Sequence, residues 1–541
     1  MISALVCAAL QAQPCDIVLI NARIWSDGRT GFATSAGIRN GKFVAVGEFD
    51  PKWKGPKTSV IDAKGASVLP GLIDSHIHLL DGGMSLSELQ LRDASTKEEF
   101  MGRIKEWAEK LPEGKWVLGG GWSVESWPIK QTPNKRWVDG YTGKRPLWLT
   151  RMDGHSGLAN FAALKMAGIT REGPPDPPGG VIERDPVTNE PTGILKENAM
   201  DLVTKLIPPA SKVEKLQALK TAIQHCHSMG ITSVSDIPGL GDLSIYEAYA
   251  ASNQASMRTF LYPSGAMGST FVARAKKFKG LPDVVEVKGF KAYMDGSLGS
   301  RTAYMREPFL GNSEKQKDWR GLPMPGVTSG AYQSAIKTAN QSGYQAIMHA
   351  IGDESNHLFL NMVAQNISNP RSARARSEHA QHLLPEDIAR FGELGVIASM
   401  QPFHKSDDGR YAESYIGADR CHSSYAFRSL LNAGAVLAFG SDWPVVSANP
   451  FLGIEAAVTG KTLDGKFWEI QENLTVAEAL RSYTSAGAFA AFEDTKVGKI
   501  EPGYLADFVI LSASPFAANP KWNQIKPAAV YVGGKKVFTS K

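Results

Sequence analysis

Five short segments constrain the fold of this chain more than anything else: PGLIDSHIHLL, FKAYMDGSLGSRTA, IMHAIGD, SEHAQH and AFGSDWP. Each sets a metal-capable side chain at the end of a short apolar, strand-like run. The order along the chain is His76 and His78, Lys291, His349, His379 and Asp442. Ligands delivered one strand end at a time describe the inner rim of a parallel β-barrel that holds one or two divalent metal ions. Eight strand candidates support that reading: 68–79, 231–237, 258–264, 287–296, 344–353, 376–383, 396–403 and 436–444. Helical patterns intervene, such as VEKLQALKTAIQHCHSMG with Gly230 as its stop signal. Strands alternating with helices predict an α/β chain built on a (β/α)8 TIM-like barrel, with its chemistry at the strand C-terminal ends.

The two ends of the chain read differently. Residues 16–70 carry short strands separated by polar turns, including Asn40-Gly41 at a hairpin position. Residues 493–541 repeat this character, with Gly533-Gly534 as a tight turn. The expectation is a composite β-sandwich built from both termini, flanking a barrel made of 71–83 and 213–492. The gap between the first two barrel strands is too long for one crossover. Residues 84–212 therefore form an inserted α+β subdomain, with a helix in KEEFMGRIKEWAEKL, strands in GKWVLGGGW and RPLWLTRMDG, and a loop at 170–180. An insert at that position would overhang the metal mouth as pocket wall or lid. At 541 residues the chain has room for all of these parts.

A net charge of +5 with no Lys/Arg run gives no nucleic-acid footprint. Four scattered cysteines (Cys7, Cys15, Cys226, Cys421) make neither a disulfide framework nor a zinc ribbon. Residues 1–15 hold the apolar run ISALVCAAL, read as a secretory h-region with cleavage after Ala12. That reading exports the chain; the alternative is a disordered N-terminus. The run is too short to span a bilayer, and no other stretch is a membrane candidate.

His76 and His78 are two apart on a strand, so both imidazoles face one side and can bind one ion. A surface pair is the plain alternative. His349 and His379 each close a strand, with His382 as a competitor to His379. Asp442 can bind metal, take a proton from the attacking water and pass it to the leaving amine; its alternative is a helix cap. Lys291 lies in an apolar run, where a bare ammonium is costly. Carbamylation would solve this with a metal-bridging carboxylate (N6-carboxylysine); an ion pair with Asp295 would solve it without metal. For substrate binding the candidates are Trp122, His155 and Arg301, with His404 at the seventh strand's end. Arg301 could clamp a carboxylate or carbonyl, or pair with an acidic loop residue. Glu125, Asp153 and Glu197 are further polar residues of the insertion. His225, His227, His357 and His422 read as structural.

In combination these segments resemble the amidohydrolase superfamily, and within it the amidohydrolase-3 or YtcJ-like group, which includes N-substituted formamide deformylases. The resemblance runs from about residue 16 to the end. RMDGHSGLAN and TGILKE match the group's insertion motifs, and EPGYLADFVIL matches the closing strands of the sandwich. It implies metal binding by His76, His78, carbamylated Lys291, His349, His379 and Asp442, with Asp442 as general acid/base and zinc as the default ion. The implied function is hydrolysis of a carbon–nitrogen bond other than a peptide bond, in an amide or N-substituted formamide, by metal-activated hydroxide. The same analogy implies a homodimer acting on a small molecule. Two rivals stand beside it: a cyclic-amide hydrolase or deaminase of the same fold, and a catalytically silent binding or regulatory protein.

Overall fold

The computed structural model describes residues 14–124, 127–152, 156–177, 180–312 and 317–540, apart from the side chain of Glu197. The chain divides into two compact units. One holds the chain up to Leu79 together with Ala222–Lys541; the other is Leu80–Thr221.

The first unit contains two parallel sheets. One is formed by β1 (Leu72–Ile77), β2 (Ile231–Asp236), β3 (Arg258–Leu261) and the short strand Val285–Val287. The other runs in chain order through β4 (Gly289–Tyr293), β5 (Gln345–Ala350), β6 (Arg376–His379), β7 (Ile397–Met400) and β8 (Leu437–Phe439). Every residue of β1, β2, β3, β6 and β7 is buried, the pattern of strands covered on both faces. Helices occupy each connection, among them Leu243–Ala250, Gly268–Ala275, Ala331–Gln341, Asp353–Asn366 and Pro385–Leu394.

Isolated hydrogen bonds join the two sheets at both seams. Lys288 N and Lys291 N donate to Leu261 O and Pro263 O at 3.0 and 3.2 Å. Asp442 N donates to His76 O and His78 N to Trp443 O at 2.7 and 2.9 Å. No continuous ladder closes the ring among the described residues. The fourth expected strand is broken at Lys288: Val285–Val287 pairs with β3 and Gly289–Tyr293 with β5.

Two further sheets of this unit form a sandwich. One has the strands Ile17–Ile20, Ser35–Arg39, Lys42–Gly47 and Ser59–Asp62. The other joins Arg23–Ile24 and Ser67–Pro70 to Phe508–Leu511, Pro527–Val532 and Lys535–Thr539, so both termini build it. Leu19, Ile38, Phe43, Val68, Phe508 and Tyr531 belong to the core between them. Its two-residue hairpins place Asn40 and Gly41 at φ 51° and 72°, and Gly533 and Gly534 at φ 55° and 74°. Such turns match the strand twist and demand positive φ at both positions. The expected strand 68–79 is a correction: it is two strands in different sheets, divided at Gly71.

The second unit is a six-stranded sheet with the spatial order Gly180–Arg184, Pro191–Glu197, Ser156–Ala159, Leu147–Arg151, Val117–Trp122 and Leu89–Gln90. Its helix Lys97–Lys110 starts on Thr96, whose hydroxyl accepts from Glu99 N. Cys15, Cys226 and Cys421 are buried free thiols, while Cys7 and the N-terminal apolar run lie outside the described residues. No described helix is long and apolar enough to cross a membrane.

Candidate metal centre

The centre is built where the end of β8 is laid against the end of β1. Alternation along β1 sends Asp74, His76 and His78 to one side. Gly440 comes so close that a Cβ there would stand 2.5 Å from His76 N and 2.7 Å from Asp74 Oδ1, so only glycine fits. Ser441 then donates to Asp74 through its N–H (3.0 Å) and hydroxyl (2.5 Å). This grip carries Asp442 over His76 and His78, and its Oδ1 lies 3.4 and 3.1 Å from their Nε2 atoms. Asp442 therefore does not cap the next segment with its side chain; the turn to Val445 uses its backbone carbonyl.

The other ligand candidates converge on the same point. Lys291 Nζ is 3.4 Å from His76 Nε2. The His379 ring centroid lies 4.7 Å from that of His76 and 4.5 Å from that of His349. One donor atom each from His76, His379 and Asp442 falls within 4.8 Å of the other two, and all three residues are buried. His379 and Asp442 sit at φ 77° and 59°. That left-handed region is sparsely populated outside glycine, and such strain collects at functional sites.

Each buried imidazole has one nitrogen tied up. His76 Nδ1 hydrogen-bonds the Glu378 carboxylate, His349 Nε2 the Gly296 carbonyl at 2.9 Å, and His379 Nδ1 the Gln401 Oε1 at 2.8 Å. Since all three partners accept, the tied nitrogen carries the proton and the other is bare. Burial, reinforced by the nearby Lys291 charge, pushes His76 down to about 4 and His349 to about 3. Burial likewise carries His379 well below its ordinary value. The rings are thus neutral at physiological pH, as metal ligands must be. Asp442 Oδ1 is buried without a well-formed hydrogen bond. Neutral imidazoles with bare nitrogens around an under-satisfied carboxylate suit a divalent ion of the zinc type.

Residues 59–538 match the model of the amidohydrolase family. The chain belongs to the amidohydrolase family. Among its relatives, Protein LONG AFTER FAR-RED 3 of Arabidopsis thaliana is 37% identical over 97% of this chain and 91% of the relative. YtcJ of Bacillus subtilis strain 168, an amidohydrolase by assignment, is 32% identical over 89% of this chain and 91% of its own length. The N-substituted formamide deformylase of Arthrobacter pascens is 25% identical over 96% and 97%. A solved uncharacterized metal-dependent hydrolase from Pyrococcus furiosus superposes with a TM-score of 0.75 at 25% identity, covering 93% of this chain and all of that one.

Around this amidohydrolase centre other candidates take varied places. His404 is buried and nearly parallel to His379 at 6.4 Å, with Gln381 Nε2 3.4 Å from its Nδ1. His382 is buried apart and bonded to Ser424 Oγ at 2.7 Å. The Asp295 alternative for Lys291 is corrected: Asp295 accepts from the amides of Tyr304, Ile351 and Gly352. Lys291 makes no ion pair among the described residues, and burial lowers its amine to about 8. Among the described residues Arg301 meets no acidic side chain; it donates to Leu310 O at 2.9 Å and lies over the Tyr415 ring. Trp122 is a core residue of the second unit, 1% exposed, with its indole N–H on Leu149 O. An indole in a sheet interior spends its surface on packing. Asp153, His155 and Glu125 lie outside the described residues, as does the Glu197 side chain.

Sequence reasoning missed Asp74, Arg376, Glu378 and Gln401. The signal for two of them was present: RSEH carries an Arg and a Glu at i, i+2 inside a buried strand, which only a paired polar interior tolerates.

Proposed function

We propose that this amidohydrolase is a metal-dependent hydrolase that cleaves a carbon–nitrogen bond other than a peptide bond, in an amide or N-substituted formamide. The two parallel sheets are read as one (β/α)8 barrel, with His76, His78, His349, His379, Asp442 and a carbamylated Lys291 as ligands. The observation that carries the reading is the set of neutral imidazoles, each with one nitrogen held and one bare, around the Asp442 carboxylate. A bound divalent metal would polarise the substrate carbonyl and acidify water. Hydrolysis joins the water oxygen to the carbonyl carbon, breaks the C–N bond and moves one proton to the leaving nitrogen. Asp442, whose Oδ1 lacks a well-formed hydrogen bond, is the group able to hold that proton in transit. Glu378, Gly296 and Gln401 fix the ring orientations while this happens. The substrate class follows the deformylase relative.

The silent-scaffold rival has one observation behind it, a 25% identical relative named Exoenzymes regulatory protein AepA. Against it stands the complete donor set. The test is metal analysis of the purified chain beside Lys291→Ala and Asp442→Ala, followed by a panel of N-formyl amines, N-acyl amines and cyclic amides. Bound divalent metal that falls in both variants, with turnover of open-chain amides, supports the proposal. A chain that takes up no metal after loading sinks it, and turnover of cyclic amides alone moves the function to the first rival.

A further inference from the structure

The hydrogen bond from His76 to Glu378 is the near end of a longer chain. Glu378 is fully buried and reaches His76 with Oε2. Its other oxygen, Oε1, lies 2.7 Å from Arg376 Nε as an ion pair rather than a well-formed hydrogen bond, and Arg376 is equally buried. Arg376 sits two residues earlier on β6, on the same face. Its guanidinium then spans the interior of the first unit. It donates to Ser75 O on β1, to Ser399 Oγ on β7 at 2.9 Å and to Ser235 Oγ on β2 at 3.2 Å, with the Tyr262 ring 5.1 Å away. A fully buried ion pair adds little to stability, because desolvation consumes most of the attraction. What this pair does have is direction: one carboxylate oxygen faces a group that can only donate, and the other faces an imidazole.

We propose that Glu378 and Arg376 are positioning residues that lock His76 in its Nδ1–H form and so present a bare Nε2 to the metal. The inference rests on the metal reading above and deepens it. The lock works because a carboxylate can only accept, so His76 must donate from Nδ1. Arg376 gives the lock its polarity, and this makes an isosteric change informative. In Glu378→Gln the guanidinium can only donate, so the amide oxygen must turn to Arg376. The amide NH2 is then aimed at His76 Nδ1 and donates to it. The ring proton moves to Nε2, where it blocks the ligand position. Removing the guanidinium as well would free the amide to turn over and accept again.

Zinc affinity of the full-length chain, measured by chelator competition, tests this with Glu378→Gln and with the double variant Glu378→Gln/Arg376→Met. The single variant is expected to lose about 10–100-fold in zinc affinity, the usual cost of a lost partner behind a ligand. Its metal-free melting should fall, because the buried Arg376 charge loses its carboxylate, so affinity is read on protein kept well below its melting temperature. The double variant is expected to regain part of the loss, which a purely structural role for Arg376 would not produce. Wild-type affinity in the single variant, or a double variant weaker than the single, overturns the proposal. Should the double variant fail to fold, the ring 15N shifts of His76 in metal-free wild type and Glu378→Gln decide. A switch of the protonated nitrogen is expected, and the same tautomer in both overturns the proposal. If wild type itself binds no zinc, the metal reading falls and this inference with it. If wild type and variant bind alike, only this inference falls.

Discussion

Two buried charged clusters lie at different places in the first unit and treat their polar atoms in opposite ways. At the start of β3, Arg258 meets Asp507, which leads into a sandwich strand, through two hydrogen bonds of 2.5 and 2.9 Å. Asp507 Oδ1 also accepts from Gly533 N at 2.7 Å, and Arg258 Nη1 donates to Asp283 O at 2.6 Å. Both carboxylate oxygens and the guanidinium are engaged. At the ends of β1, β4 and β8 the accounting is left open: Asp442 Oδ1 has no well-formed hydrogen bond, Lys291 has no ion pair among the described residues, and three imidazoles keep a bare nitrogen. Buried polar groups are satisfied almost everywhere in folded proteins, so Asp442 Oδ1 is an exception of the kind that calls for an explanation. The first cluster reads as a tie within the fold, and the second is the one proposed above to hold a metal.

The largest expected effect breaks the open cluster without touching the closed one. Asp442→Asn keeps the shape of the side chain, and asparagine tolerates the left-handed backbone found there. On whichever amide the panel identifies, kcat/KM should fall about 10²–10⁴-fold, the range for a lost general acid/base. The metal-free protein should melt within a few degrees of wild type. A large drop in metal-free stability would mean that Asp442 serves the fold after all.

The converse change attacks the closed cluster. Asp507→Ala leaves the Arg258 guanidinium buried and unpaired, at a cost of about 3–5 kcal/mol. Urea unfolding of the metal-free protein measures it. Any fraction that remains folded should retain wild-type zinc affinity. A loss below about 1 kcal/mol would show that Arg258 finds water, and the contrast between the clusters would lose its force.

How much of this contrast the sequence carried depends on the range of the interactions. The five segments that carry the candidate ligands were legible because each is a short strand-like run, and such runs are local in sequence. The two hairpins were legible for the same reason, since Asn40-Gly41 and Gly533-Gly534 state their own φ requirement. Glu378 was not, because its partner His76 lies 302 residues away. Gly440 reads as an ordinary loop glycine until β1 is laid beside it. The run 68–79 looked like one strand because apolar residues flank Gly71 on both sides, although the halves belong to different sheets. Trp122 and Arg301 were singled out by motif position; the structure packs the first in the core of the second unit and sets the second against the Leu310 carbonyl and Tyr415.

His382 belongs to neither cluster and sharpens the comparison. Its Nδ1 is paired with Ser424 Oγ, while its buried Nε2 has no hydrogen-bond partner among the described residues. It is three residues from His379 but lies apart from the ligand cluster. Burial, with the Arg420 charge adding to it, pushes its imidazole down to about 3. In the unfolded chain a histidine takes up its proton near about 6.5. Between these values the unfolded chain binds a proton that the folded one refuses, so stability falls as pH drops below about 6.5 and levels off only below 3. At pH 5 this single group costs about 2 kcal/mol. His382→Asn cannot titrate, so the stability lost between pH 7 and pH 5 should shrink by about that amount relative to wild type. Urea midpoints of both metal-free proteins at the two pH values give the difference, in which the contributions of His76, His349 and His379 cancel. An equal acid loss in both would mean that His382 protonates freely in the folded state. Its open nitrogen would then be reached by water, and Nε2 would no longer count as a buried atom without a partner.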